Sequence, residues 1–322
     1  MKISTQFVRM ISGFFGFLLV LAPLTVLAQT KTKVVVVPLG DDVVKVNPLK
    51  NVITVAKANG KFTDPVAAVN SIADASESNP YLIVIGPGVY SMSQNLQMKE
   101  YVDIVGSGEN VTKMRGAIST VDHNSTSAVI SGANNCALSS LTVENMGGNI
   151  YSIALHNSGT SPTLNNITLA ASGGIWNYGV YNSSSSVKMT DITTKGLAGA
   201  NNFGVYNSSD SYPTMTNVTA TGSGGGNNYG VYNTDSYPTM TNVTARGLGG
   251  NTQNYGVYNE VSSTPIISRS TMEGSPGLFT ADGLAIVSQS SIKGGANNGT
   301  YGGNRCVACD NGSGYPRGAN CQ

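Results

Sequence analysis

One phrase, Tyr-Gly-Val-Tyr-Asn, recurs along the chain at a near-constant interval, and this repetition restricts the fold more than any other feature. It begins at Tyr178, at Phe203 (Phe replacing the first Tyr), at Tyr229 and at Tyr255, in steps of 25, 26 and 26 residues. A Ser/Thr/Asp stretch follows, then a second phrase, Met-Thr-(Asp/Asn)-(Ile/Val)-Thr, at Met189, Met215 and Met240. A glycine-rich turn such as Gly222 to Gly226 closes the unit. A period in the twenties, with two short alternating segments per unit and no helical spacing, marks a solenoid of stacked coils. The expected fold is all-β: a single-stranded right-handed parallel β-helix with an N-terminal capping helix.

Parallel strands of successive coils lie about 4.8 Å apart, so residues one period apart sit above one another and like side chains stack. Val180, Val205, Val231 and Val257 form one such column, extended downward by Leu155. Ile167, Ile192, Val218 and Val243 form a second. Asn166, Asp191, Asn217 and Asn242 make a polar column beside it, suited to side-chain hydrogen bonding between coils. Several of these asparagines stand in Asn-x-Ser/Thr sequons, which on a repeating column read as architecture rather than glycan sites.

Such stacking needs few charges, and the composition agrees. The 322 residues include 39 glycines, are 40% hydrophobic and only 11% charged, and carry a net charge of +1. Nothing in that balance calls for nucleic acid or an anionic membrane as partner.

At the start, Lys2 and Arg9 precede an apolar run from Phe14 to Leu21, then Pro23 and the small-residue site Val26-Leu27-Ala28. Residues 1–28 therefore read as a secretory signal peptide, with a retained anchor as the alternative. No second long apolar stretch follows, so the mature chain is expected to lack a transmembrane segment and to be secreted, to the exterior, periplasm or cell surface. Residues 29–50 read as a strand and linker around Val34 to Val37. Residues 51–80 form the N-terminal cap, in which Asp64-Pro65 opens a helix and Val66, Val69, Ile72 and Ala73 recur at helical spacing. The β-helix occupies 81–300, and 301–322 is a cysteine-containing tail.

Between Val52 and Gly116, the segments Val55-Ala56-Lys57, Phe62, Ile83-Val84-Ile85, Pro87-Gly88-Val89-Tyr90 and Ile104-Val105-Gly106-Ser107-Gly108 resemble the N-terminal part of pectin methylesterases. Those enzymes belong to the wider pectin-lyase-like β-helix superfamily. The resemblance implies the start of a β-helix. It does not extend to the catalytic coils: the aspartate-bearing Gly-x-Val-Asp-Phe-Ile-Phe-Gly strand and the Trp-Gly-Arg-Pro-Trp stretch are absent, and Trp176 is followed by Asn177 and Tyr178. No catalytic residue is carried over.

The remaining chemistry-bearing residues are few. Asp210 and Asp235 occupy nearly equivalent places in successive coils, as a carboxylate pair or, on the plainer reading, as solvated Asx turns. Lys188, Lys195, Arg246 and Arg269 are scattered, without the acidic cluster a lyase would use. His123 and His156 lack the partners of a nucleophilic triad, and a surface role is expected for His156. Cys306, Cys309 and Cys321 read as a disulfide site rather than a metal site, Cys321 pairing with Cys306 or Cys309. No cofactor or metal is expected, and the oligomeric state is open.

Tyr181, Tyr206, Tyr232 and Tyr258 lie one residue past the valine column, so strand alternation turns them outward, with His156 in the same column. An outward tyrosine column offers apolar faces with polar tips, on which sugar rings stack. The alternative is a covered or self-stabilising ladder. Tyr178, Phe203, Tyr229 and Tyr255 fall on the valine side and are expected inside. Two functions follow: a secreted, non-catalytic β-helix that binds polysaccharide or a cell-surface glycan, or builds extracellular structure; and a divergent carbohydrate-active enzyme, pectin methylesterase-like or a polysaccharide lyase.

Overall fold

The computed structural model describes residues 51–322, so the expected signal peptide and the 29–50 strand and linker lie outside the described residues. Within it the chain winds as a parallel β-solenoid of about eight turns with almost no helix. Strands pair with those one coil away, in parallel and in register. Tyr151–Ser158 pairs with Trp176–Ser183, which pairs with Asn201–Ser211, then Asn227–Ser236, then Gln253–Glu260. A second series runs through Thr163–Ser172, Lys188–Leu197 and Thr214–Ser223. The coil shortens toward the C-terminus, from the 26-residue repeat to 21 between Val257 and Leu278 and 18 between Leu278 and Ala296.

Stacking fills the interior as the repeat dictates. Leu155, Val180, Val205, Val231 and Val257 are all fully buried, as are Leu164, Met189, Met215, Met240 and Ile267. The column of Ile167, Ile192, Val218 and Val243 is buried to within 1%. The polar column beside it has a geometric cause: Asn166, Asp191, Asn217 and Asn242 all adopt φ of 54–55°, the left-handed conformation that Asn and Asp tolerate best. The pairing between coils skips Asn166, Asp191 and Asn217. Their exposed side chains join coils, Asn217 Nδ2 donating to Asp191 Oδ1 at 2.9 Å and Asn242 Nδ2 to Asn217 Oδ1 at 2.7 Å.

The stronger polar ladders are elsewhere and fully buried. Asn157, Asn182, Asn207, Asn233 and Asn259 hand a hydrogen bond from coil to coil at 2.8–2.9 Å, and Thr280 and Asn304 continue the line. Asn177, Asn202, Asn228 and Asn254 do the same at 2.9–3.1 Å. Asn177, Asn202 and Asn254 also bond both backbone groups of the glycine turn preceding them, at Gly174, Gly199 and Gly250.

At the N-terminal end, a helix spans Pro65–Asn70, with the Asp64 carboxylate accepting from Val66 N at 2.9 Å. Val66, Ala68, Val69 and Ile72 join the core. Ala73 lies beyond the helix and is exposed, because the helix stops after six residues. At the C-terminal end the last strand is Ala296–Val307, and Cys306 is disulfide-bonded to Cys321. Cys309 is a free buried thiol, as is Cys136. No helix among the described residues is long and apolar enough to cross a membrane.

Candidate functional site

The repeated phrase builds the site through a break in alternation. Pairing between coils skips Gly179 and Gly204, and a Cβ on Gly179 would run into Thr194 across the coil, so this glycine faces inward. Val180 is in the interior core too. Two consecutive inward residues shift the phase by one, and Tyr178 and Tyr181 therefore emerge on the same outer side. Their rings meet edge to face at 5.5 Å, as do Phe203 and Tyr206 at 5.3 Å. The expectation that Tyr178, Phe203, Tyr229 and Tyr255 stack inside with the valines is thus corrected as to side: Tyr178, Phe203 and Tyr229 are buried, but in a hydrophobic cluster separate from the core, with Tyr255, Tyr181, Tyr206, Tyr232 and Tyr258 packed against it.

Three outward columns result. Tyr151, Trp176, Asn201, Asn227 and Gln253 make the first; Tyr178, Phe203, Tyr229 and Tyr255 the second; His156, Tyr181, Tyr206, Tyr232, Tyr258 and Phe279 the third. Between them runs a groove of about 390 Å³ lined by His123, Trp176, Asn201, Asn227 and the rings around them. Within the third column, neighbouring rings lie 5.0–5.1 Å apart and within 11° of parallel from Tyr181 to Tyr232. Each ring's faces are therefore covered by its neighbours. The flat faces expected to meet sugars are spent on the ladder itself, and the groove meets ring edges and phenolic hydroxyls instead.

His123, which the sequence leaves without a partner, closes one end. The segment carrying it folds back over the strand Tyr151–Ser158, held by a short antiparallel pairing of Ser119–Thr120 and by Asn124, whose side chain accepts from Thr126 N at 2.8 Å. The imidazole stacks on Tyr151 at 4.6 Å and Tyr178 at 4.9 Å, and meets Tyr181 edge-on at 4.4 Å. His156 stacks on Tyr181 at 5.2 Å, nearly parallel, and is 7% exposed. The surface role expected for His156 is corrected to that of a buried ladder member. Burial pushes both imidazoles down to about 4, and His156 adds an electrostatic push on His123.

The polar equipment of the groove is neutral, with one exception. Tyr229 Oη donates to Gln253 at 2.9 Å, and Tyr232 Oη donates to the Glu260 carboxylate at 2.5 Å. Burial first, then Glu260 and neighbouring hydroxyls, raise the phenols of Tyr232 and Tyr229 and bring Tyr258 up to about 12. His123 Nε2 and Asn227 Oδ1 are buried with no hydrogen-bond partner among the described residues. Buried polar atoms are seldom left so, and both line the groove.

Asp210 and Asp235 lie outside it. Both have left-handed backbones, and Asp235 accepts from Tyr237 Oη at 3.4 Å. They lie near the ends of the strands Asn201–Ser211 and Asn227–Ser236, where the pairing between the two coils is irregular. Arg246 is held by Glu273 at 3.0 Å on another sheet. A second depression, between Gly247–Gly249, Glu273 and Lys293, presents glycine turns and no aromatic ring.

No family model matches the chain, and no curated protein matches it. Solved structures similar to it include pectin methylesterases and a protein of Geobacillus virus E2, ORF18. The deglycosylated Aspergillus niger enzyme aligns over 83% of this chain and 89% of its own, at 11% identity and TM-score 0.48. For the Yersinia enterocolitica enzyme the figures are 81%, 93%, 12% and 0.49, and for the carrot enzyme 81%, 83%, 15% and 0.46. No residue role is transferred from them.

Proposed function

We propose that this is an exported β-helix protein whose aromatic groove holds an extended polysaccharide without transforming it. The observation that carries the reading is the groove's repeating edge, in which each coil presents the same ring edges and hydroxyls one strand spacing further on. Tyr181 and Tyr206 make no side-chain hydrogen bond through their hydroxyls among the described residues, while Asn227 Oδ1 and His123 Nε2 in the groove lining are unpartnered. A polyhydroxylated chain supplies the complementary groups at a similar repeat, and several weak sites engaged at once add to useful affinity. Paired-acid hydrolysis uses two carboxylates a few ångströms apart. Among the described residues no carboxylate lines this groove, and Glu260 meets the lining through Tyr232, which supports binding over the enzyme reading. Export accords with the disulfide, a bond kept in oxidising compartments.

Because the ring faces are committed to the ladder, Tyr→Phe is the discriminating change. Tyr181→Phe and Tyr206→Phe together should keep the melting temperature within a few degrees and weaken retardation in polysaccharide affinity gels several-fold. Undiminished retardation in the double variant would remove the groove from the proposal.

A further inference from the structure

The polar inventory of the groove narrows the ligand, given the polysaccharide reading on which this step rests. We infer that the groove takes an uncharged polysaccharide and disfavours polyuronates. A uronic acid chain brings one carboxylate per sugar, and each would have to leave water beside the aromatic band. An anion placed there needs a cation or a set of donors aimed at it, or its desolvation goes uncompensated. Among the described residues, no lysine or arginine lines the groove. The cations of these coils, Lys188, Lys195 and Arg246, are on the strands Lys188–Leu197 and Thr244–Leu248 rather than the aromatic strands, and Arg246 is already paired.

The two groups that could alter this balance do not. Among the described residues, His123 is the one imidazole or amine in the lining, and burial together with His156 keeps it neutral above about pH 4. Glu260 contributes a negative charge, bonded to Tyr232 and felt by Tyr206, Tyr229 and Tyr258. A second carboxylate arriving beside it would be repelled at short range in a poorly solvated strip. A neutral sugar meets none of these costs. Its hydroxyls can accept from phenols of the lining such as Tyr206, whereas its C–H groups pack on the ring edges.

Affinity electrophoresis of the mature chain distinguishes the outcomes. Gels would contain a mixed-linkage β-glucan, a galactomannan, an unsubstituted xylan, a galactan or de-esterified polygalacturonate, each run at low and high salt. Retardation of several-fold in at least one neutral gel, insensitive to salt, with free passage through polygalacturonate, is the expected result. Glu260→Gln should raise polygalacturonate retardation relative to the neutral gel. Retardation in polygalacturonate equal to or above that in every neutral gel would overturn the inference and leave the binding function standing. Free passage through all five would overturn both.

Discussion

His123 and His156 show how a residue's role is set by what stacks on it. Both would titrate near 6.5 in an unfolded chain, and both are held at about 4 in the folded one. Between those values the unfolded chain binds more protons, so stability rises with pH across that window and is lost as pH falls from 6.5 toward 4. A shift of this size is worth up to about 3 kcal/mol per histidine, less the screening that partial solvent contact gives. The wild-type melting temperature should therefore drop between pH 7 and pH 4.5. His123→Phe preserves the stack on Tyr151 and removes one titrating group, so its drop should be distinctly smaller. Equal drops in the two proteins, measured by thermal unfolding across that pH range, would show that the imidazole is already free to protonate in the fold.

At the scale of the strand, the feature that decides the site is a glycine. Gly179, Gly204, Gly230 and Gly256 repeat in the phrase, and across the coil Gly196, Gly222 and Gly247 repeat in the other sheet. Their hypothetical Cβ atoms would strike opposing backbone: that of Gly204 would sit 2.5 Å from Thr221 N and 2.6 Å from Gly230 O, and that of Gly222 2.5 Å from Tyr229 N and O. Two sheets touch backbone to backbone here, and Thr194 Oγ1 reaches across to Gly204 O at 2.7 Å. Gly204→Ala should thus destabilise by at least about 1–3 kcal/mol, the usual cost of overpacking. Gly303→Ala, whose Cβ would meet only Leu284 Cδ1 at 3.5 Å, should change little. Matching denaturant midpoints for the two variants would mean the sheets can separate freely.

That same glycine marks where the sequence stopped being readable. The period, the valine and isoleucine columns and the outward face of Tyr206 and Tyr232 follow from repetition and alternation alone. Alternation presumes an unbroken strand, though, and the inward pair Gly204–Val205 breaks it, which put Phe203 on the wrong side. The buried asparagines were equally present as a column, at Asn182, Asn207, Asn233 and Asn259. Nothing in their polarity points to burial, since only the finished stack supplies each amide with the next. His123 carries no repeat signal at all, and its place depends on a single loop folding over the ladder.

For the whole molecule the question is whether the solenoid unfolds as one body or coil by coil. Stacked coils contact only their neighbours, so stability is a sum of coil terms and interface terms, and the ends should open first. The centre, from Trp176 to Glu260, has near-identical coils, both buried asparagine ladders and the aromatic columns. Toward the C-terminus the coils shorten, the ladder passes to Thr280 and ends at Asn304, and the disulfide from Cys306 to Cys321 secures the last strand. Closing a loop of 15 residues stabilises by about 3 kcal/mol in the chain-entropy account. The double variant Cys306→Ser, Cys321→Ser, chosen so that Cys309 has no partner with which to re-form a bridge in the tail, should therefore exchange amide hydrogens faster in Ser291–Lys293 and Ala296–Val307. Protection in Asn201–Ser211 and Asn227–Ser236 should stay at the wild-type level, and retardation by polysaccharide should stay with it, because the groove lies in those central coils. If peptide-resolved exchange instead showed all coils losing protection together, the chain would be a single cooperative unit, and the stacked-coil account of its stability would fail.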